Sequence, residues 1–272
     1  MTGTGAEVIP GPFGDIWLRD TAPIFVLSEG KLVAACFKFN GWGGKYVLNG
    51  DEDVASFVAG RANTPALINN WVLEGGSIDV DGEGTALTTR QCLLNRNRNS
   101  DLTSAEIERR LHEALGIETL VWLDIGLAND HTDGHIDNIA RFVAPGVVAC
   151  MEPRDSEDPN RDALREIIND LNNAVDVTGR KLEVVTVPSP GRVEDDDGDV
   201  IPASFLNFYI SNTTVVVPVY GTKFDDLAID SIAKLFPTRR TVGLPANHVI
   251  TGGGSFHCIT QQQPAISGVG SA

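Results

Sequence analysis

The sequence predicts an α/β architecture in which ββαβ units repeat around a five-fold pseudosymmetric propeller, and three observations carry that prediction. One order of elements recurs along the chain: an alternating apolar stretch, a turn, a second β-rich stretch, an amphipathic helix and a third strand. One polar landmark returns early in each repeat, at Asp20, Glu74, His135, Asn207 and Cys258, about every 50–70 residues. A further first strand, 250–260, stands near the C-terminal end with no helix or third strand after it.

The elements follow in order. The first and weakest copy runs from Asp20 through Leu32 to Phe39, then a helix around 51–59 and a strand at Leu67 and Ile68. The second is the clearest: a strand over 75–80, the turn Asp81-Gly82-Glu83-Gly84, a strand over 85–94, and a closing strand over 120–123. Its helix opens on Thr103 and Glu106, whose spacing fits a capping box. The third starts at His135, turns at Ala144-Pro145-Gly146, and continues as strand 147–151, helix 160–174 and strand 182–187. The fourth starts at Ala203, with strand 214–219, helix 225–235 and strand 240–244. Between these two units, 188–202 with its Asp195-Asp196-Asp197-Gly198 run reads as a long polar loop, either a solvated insertion or a mobile substrate lid. Only 19 residues precede Asp20. A crossover unit needs roughly 30. The chain 1–272 therefore reads as a single domain whose fifth unit is incomplete at the N-terminus, with an unpaired edge beside Cys258, low activity and rapid amide exchange over 250–260 as the expected consequences.

Composition narrows the function classes. With 272 residues, 42% of them hydrophobic, the chain is long and apolar enough for a buried core. A formal charge of −16 argues against a nucleic-acid or anionic-membrane partner and favours attraction of cations, although acidic solubility accounts for the charge equally well. No apolar run approaches the ~20 residues of a membrane span, and residues 1–12 show no signal-peptide pattern. Cys36, Cys92, Cys150 and Cys258 form no CxxC pair, which points to a reducing cytoplasm without disulfides.

The chemistry centres on Cys258, which follows Gly252-Gly253-Gly254-Ser255-Phe256-His257. Three glycines let the backbone approach a ligand closely, and a thiol just beyond would face that opening. The plain alternative is a buried packing cysteine. His257 is a poor base for Cys258 if both lie in a strand, since neighbours there point to opposite faces. His135 and Asp137, two apart, share one strand face and can present a proton shuttle and a carboxylate to one ligand. His131, Asp133, His135 and Asp137 also admit a metal reading, which Gly134 disfavours by breaking the regular geometry. Asp20 and Glu74 are acids beside apolar strands, costly to bury unless paired, so each could equally be a structural ion pair with an arginine. Converging on one axis, three carboxylates around a thiol suit a guanidinium, a permanent cation with planar N–H forks.

These strings resemble the agmatine deiminase family, within the wider guanidine-modifying group that includes arginine and peptidyl-arginine deiminases. The resembling segments are Trp17-Leu18-Arg19-Asp20-Thr21-Ala22-Pro23, Phe39-Asn40-Gly41-Trp42-Gly43-Gly44, 73–85, Gly134-His135-Ile136-Asp137-Asn138, Asn207-Phe208-Tyr209 and 252–264. The resemblance implies the five-module ββαβ propeller called the pentein fold. It further implies Cys258 as nucleophile, His135 as general acid/base with Glu74 beside it, Asp20 and Asp137 gripping the guanidinium, and Trp17 lining the pocket. Ser255, Phe256 and His131 depart from the common pattern, and the family carries additional strand–helix–strand sequence before the tryptophan motif. The implied reaction is hydrolysis of agmatine to N-carbamoylputrescine and ammonia through a covalent Cys258 intermediate, in putrescine synthesis, with no cofactor and no metal. A small cationic guanidine is the expected partner, without nucleic acid or membrane, and homo-oligomer formation stays open. Rival readings are a free- or peptidyl-arginine deiminase, an amidinotransferase, and an impaired guanidine- or polyamine-binding remnant.

Overall fold

The computed structural model describes residues 6–265. Four consecutive ββαβ units appear, each a three-stranded sheet whose first two strands are antiparallel and whose third pairs parallel to the second. The first comprises β1 (Ile24–Ser28), β2 (Lys31–Lys38), α1 (Val54–Arg61) and β3 (Ala66–Val72). The second comprises β4 (Ile78–Val80), β5 (Thr85–Thr89), α2 (Ser104–Leu115) and β6 (Thr119–Leu123). The third comprises β7 (Ala140–Ala144), β8 (Val147–Glu152), α3 (Arg161–Asn173) and β9 (Glu183–Pro188). The fourth comprises β10 (Tyr209–Ile210), β11 (Thr214–Val219), α4 (Asp225–Leu235) and β12 (Arg240–Pro245).

Local chemistry explains these boundaries. The β1–β2 hairpin closes on Glu29 and Gly30, both at positive φ (51° and 74°), as a two-residue turn matched to strand twist requires. In α2 the Thr103 hydroxyl accepts the Glu106 amide while the Glu106 carboxylate reaches back to the Thr103 amide, and Gly116 at φ 71° ends the helix. Along α3, Leu164, Ile167 and Leu171 fall on one face and are buried, joining the core shared by the third and fourth units. β5 is buried at all five positions: it lies between β4 and β6 in its sheet, with Ala86 in the cluster of α2 and Leu87 in the core shared with the third unit.

The first strands are shorter than the sequence predicts. Residues 75–77 form a 3-10 turn and the strand starts only at Ile78. Thr89 ends β5 because its hydroxyl accepts the Cys92 amide and caps a helical turn, Arg90–Leu93. The strand expected over 250–260 is absent. A helical turn, Asn247–Ile250, leads into successive turns closed by Gly253 N to Ile250 O, Ile259 N to Ser255 O and Thr260 N to His257 O. Residues 189–202 do form a loop, pinched by a Glu194–Val200 bridge. That loop borders a cavity with Lys223 and Phe224, and none of its residues lines the pocket over Cys258. Among the described residues no helix is long and apolar enough to cross a membrane.

Candidate active site

In each unit a short turn immediately precedes the first strand, and these turns, rather than the strands themselves, carry the site. Asp20 sits in the helical turn Leu18–Thr21, which Trp17 opens by accepting hydrogen bonds from the Asp20 amide and the Thr21 hydroxyl. Asp20 Oδ1 accepts the Gly76 amide at 2.9 Å, and Oδ2 accepts Trp42 Nε1 at 2.8 Å. Trp42 reaches it from a tight turn in which Trp42 itself has φ 52° and Gly41, Gly43 and Gly44 are all left-handed. Gly76 has to be glycine. A methyl group there would lie 2.6 Å from His135 Nδ1, 2.9 Å from Asp20 Oδ1 and 3.1 Å from Asp137 Oδ2.

His135 and Asp137 lie at the start of the 3-10 turn Ile136–Asn138, not on a strand face. The Asp130 carboxylate fixes the turn by accepting the His135 amide at 3.0 Å. Both residues are fully buried, and His135 Nδ1 stands 3.9 Å from Asp20 Oδ1. Asp137 Oδ2 accepts His257 Nδ1 at 2.7 Å and lies 3.5 Å from Cys258 Sγ. Asn207, before β10, donates from Nδ2 to Cys258 Sγ at 3.1 Å and to Asn138 Oδ1 at 2.9 Å, while its Oδ1 accepts the His257 amide at 3.1 Å. Glu74 is sealed from solvent, and Arg98 Nε donates to its Oε1 at 2.6 Å. The second Glu74 oxygen, both His135 ring nitrogens and Asp137 Oδ1 have no hydrogen-bond partner among the described residues. Such orphaned buried atoms are costly unless a ligand uses them.

A cavity of about 270 Å³ opens over Cys258, walled by Trp17, Trp42 and Tyr46, with Asp20 at its floor. The glycines before Cys258 serve these walls. A methyl on Gly252 or Gly254 would strike the Trp17 ring at 2.9 or 2.7 Å, and one on Gly253 would meet His131 Nδ1 at 2.7 Å. None of the described lining residues is Lys or Arg.

Burial raises the Asp137 carboxyl to about 6; the Asp20 charge adds to the rise while His135 opposes it. Burial disfavours a charged His135, yet the Asp20 charge, helped by Cys92 and Asp137, outweighs it and holds the imidazole well above its ordinary value. Cys258 is pushed well above an ordinary thiol by burial and then by Asp137 and Asp20, with the Ser255 amide and Asn207 pulling the other way. Glu74 is raised by burial against the opposing charge of Arg98. Burial, with Asp137 and Asp20 beside it, thus favours the protonated form of the Cys258 thiol, and a monocation placed near the two aspartates would offset the part of that rise they contribute.

The sequence-predicted residues Trp17, Asp20, Glu74, His135, Asp137 and Cys258 therefore come together. The metal reading fares differently: Lys45 and Arg98 hold Asp133, and His131 lies against Tyr46 at the pocket wall. Glu74, Cys92 and His135 do bring ligand atoms within 4.8 Å of one another, but the Arg98 guanidinium on Glu74 already supplies positive charge there. The sequence alone points to no role for Trp42, Arg98 or Asn207, and it disfavours His257. Asn207 carries a usable signal, as the one repeat landmark without a chemical assignment. His257 is disfavoured only if residues 250–260 form a strand, which they do not.

Comparison with known proteins gives concordant findings. The model of the Porphyromonas-type peptidyl-arginine deiminase family matches residues 2–264. A Legionella pneumophila (strain Paris) protein, provisionally named an agmatine deiminase, is 42% identical over 96% of this chain and 76% of its own length. The solved agmatine deiminase of Enterococcus faecalis superposes with a TM-score of 0.87 at 35% identity, covering 91% of this chain and 74% of that one. A Cys-to-Ser variant of the C. jejuni agmatine deiminase with substrate bound superposes with a TM-score of 0.88 at 31% identity, covering 96% and 77%. An amidinotransferase from Microseira wollei, 12% identical with a TM-score of 0.53, shares the fold alone.

Proposed function

Since the chain belongs to the Porphyromonas-type peptidyl-arginine deiminase family, we propose that it hydrolyses the guanidinium of agmatine to N-carbamoylputrescine and ammonia, as a cytoplasmic enzyme of putrescine synthesis. The observation that carries the choice of substrate is the lining of the pocket. Its lining includes buried Asp20, the less buried Asp15 and the aromatic residues Trp17, Trp42 and Tyr46, with no Lys or Arg among the described lining residues to receive a substrate carboxylate. A guanidinium with an aminobutyl tail fits that charge pattern; arginine, with its carboxylate, does not.

In the proposed mechanism Asp20 and Asp137 grip the guanidinium, and its charge releases the Cys258 proton. Sγ attacks the guanidinium carbon to form a tetrahedral adduct. Protonated His135 donates to one nitrogen, the C–N bond breaks and ammonia departs; the proton lost from the thiol balances the one gained by the leaving group. Water then gives a proton to His135 and attacks the amidino-thioether carbon, and the C–S bond breaks to yield the ureido product and the thiol. Glu74, its charge offset by Arg98, supports the positive form of His135, and Trp17 stacks over the reacting carbon. We read the four units and the Cys258 turn as five stations of a propeller, supported by the meeting of their turns at one cluster. Ammonia release from agmatine, run beside Cys258→Ala, tests the proposal. Turnover by the wild type and none by the variant is expected; equal release by both sinks it.

A further inference from the structure

A second cavity, of about 300 Å³, lies behind the site and shares none of the residues lining the first. Adjacent residues separate the two: Cys258 lines the first and His257 the second, and both side chains meet Asp137 Oδ2. Two arginines line this second cavity, Arg19 at 6% exposure and Arg141 at 4%. Guanidinium groups this deeply buried normally use all their donors. Arg19 donates from Nη1 to Gln261 Oε1 at 2.7 Å and Gln262 Oε1 at 2.6 Å, and from Nε to His257 O at 3.4 Å. Arg141 donates from Nε to Asp79 Oδ2 at 3.0 Å and from Nη1 to the carbonyls of Leu206 and Phe208. Neither Nη2 has a partner among the described residues. Asp79 is the one acid among the residues lining the cavity, and Asp137 and Asp20 act on Arg19 from outside it.

We propose that the Arg19–Arg141 cavity is a binding site for a small monoanion, a halide or a compact carboxylate, held between the two guanidinium groups. A single small anion between them can meet both guanidinium groups, and the planar forks suit a carboxylate or a spherical ion equally. The ionisation behaviour of the neighbourhood agrees. Burial, with Arg141 next to it, brings the Arg19 guanidinium down to about 10. His257 is held well below its ordinary value by burial and by the charges of Arg141, Arg19 and His135. An anion in the cavity relieves both.

The test is thermal denaturation of the full chain in sodium chloride, formate, acetate and phosphate, with gluconate, too bulky for the cavity, holding ionic strength constant. A rise that grows with the logarithm of anion concentration and reaches about 5 °C at a hundredfold excess over the dissociation constant is expected for the small monoanions. Such a rise with chloride alone assigns the site to a halide, and with formate or acetate alone to a carboxylate; phosphate dianion and gluconate give none. Gln261→Glu places a fixed carboxylate on Arg19 and should abolish the response while keeping the fold by circular dichroism. Bromide-soaked crystals should show an anomalous peak between Arg19 and Arg141. No rise with any small monoanion beyond that given by gluconate at equal ionic strength, or a rise that Gln261→Glu retains in full, overturns the proposal.

Discussion

Asp137 joins residues that the sequence could only place separately: its Oδ2 lies 2.7 Å from His257 Nδ1 and 3.5 Å from Cys258 Sγ. Its carboxyl, raised to about 6 by burial, would ionise near 3.8 in the unfolded chain. The folded form thus keeps a proton that the unfolded form releases between those values, so this residue's contribution to stability is complete below the lower one and is lost as pH rises through the upper one. Asp137→Asn has no ionisation to lose. Its unfolding free energy should match wild type near pH 4 and exceed it at pH 7 by on the order of 2–3 kcal/mol, while deiminase activity collapses. Parallel stability curves for the two proteins would contradict the assignment of a strained, buried carboxylate. The residue types of this site were legible because a thiol, a histidine and carboxylates at repeat spacing imply few chemistries. The role of Trp42 was not, since it depends on a left-handed turn that brings Nε1 onto Asp20 from a distant segment.

At the scale of elements, periodicity recovered what burial dictates. The faces of α2 and α3, the capping box at Thr103 and the existence of the third strands all follow from apolar spacing and local capping, while their parallel pairing is seen only in the structure. The turns before the first strands were read as strand, because a polar residue beside apolar neighbours looks the same in either conformation. What decides between them is long-range: the Gly76 amide is drawn to Asp20 and the His135 amide to Asp130. Arg98 belongs with these long-range ties. From the helical turn Arg96–Asn99 it donates to Glu74, to Asp133 and to the Thr132 carbonyl, tying the segment before β4 to the segment before β7. Arg98→Met would leave the Glu74 charge buried and unpaired, which costs roughly 3–5 kcal/mol. Chemical denaturation should show a loss of that size at neutral pH, and restoration of most of it by Glu74→Gln in the same chain. A loss below about 1 kcal/mol, the range of an exposed pair, would mean that the strap is not structural.

On the scale of the whole molecule, four units deliver their leading turns to one buried cluster, and the Cys258 turn completes it from the far end of the described chain. In the proposed mechanism this arrangement sets carboxylates beside a thiol that stays protonated until a cation arrives. The proposed reaction bonds the guanidinium carbon to one particular sulfur. Acid-quenched mass spectrometry of the enzyme during agmatine turnover, followed by peptide mapping, measures that bond directly. An adduct with the mass of agmatine less ammonia is expected on Cys258, with Cys36, Cys92 and Cys150 unmodified. A modification on any of those three instead of Cys258, or full turnover by Cys258→Ala, would contradict the proposed reaction.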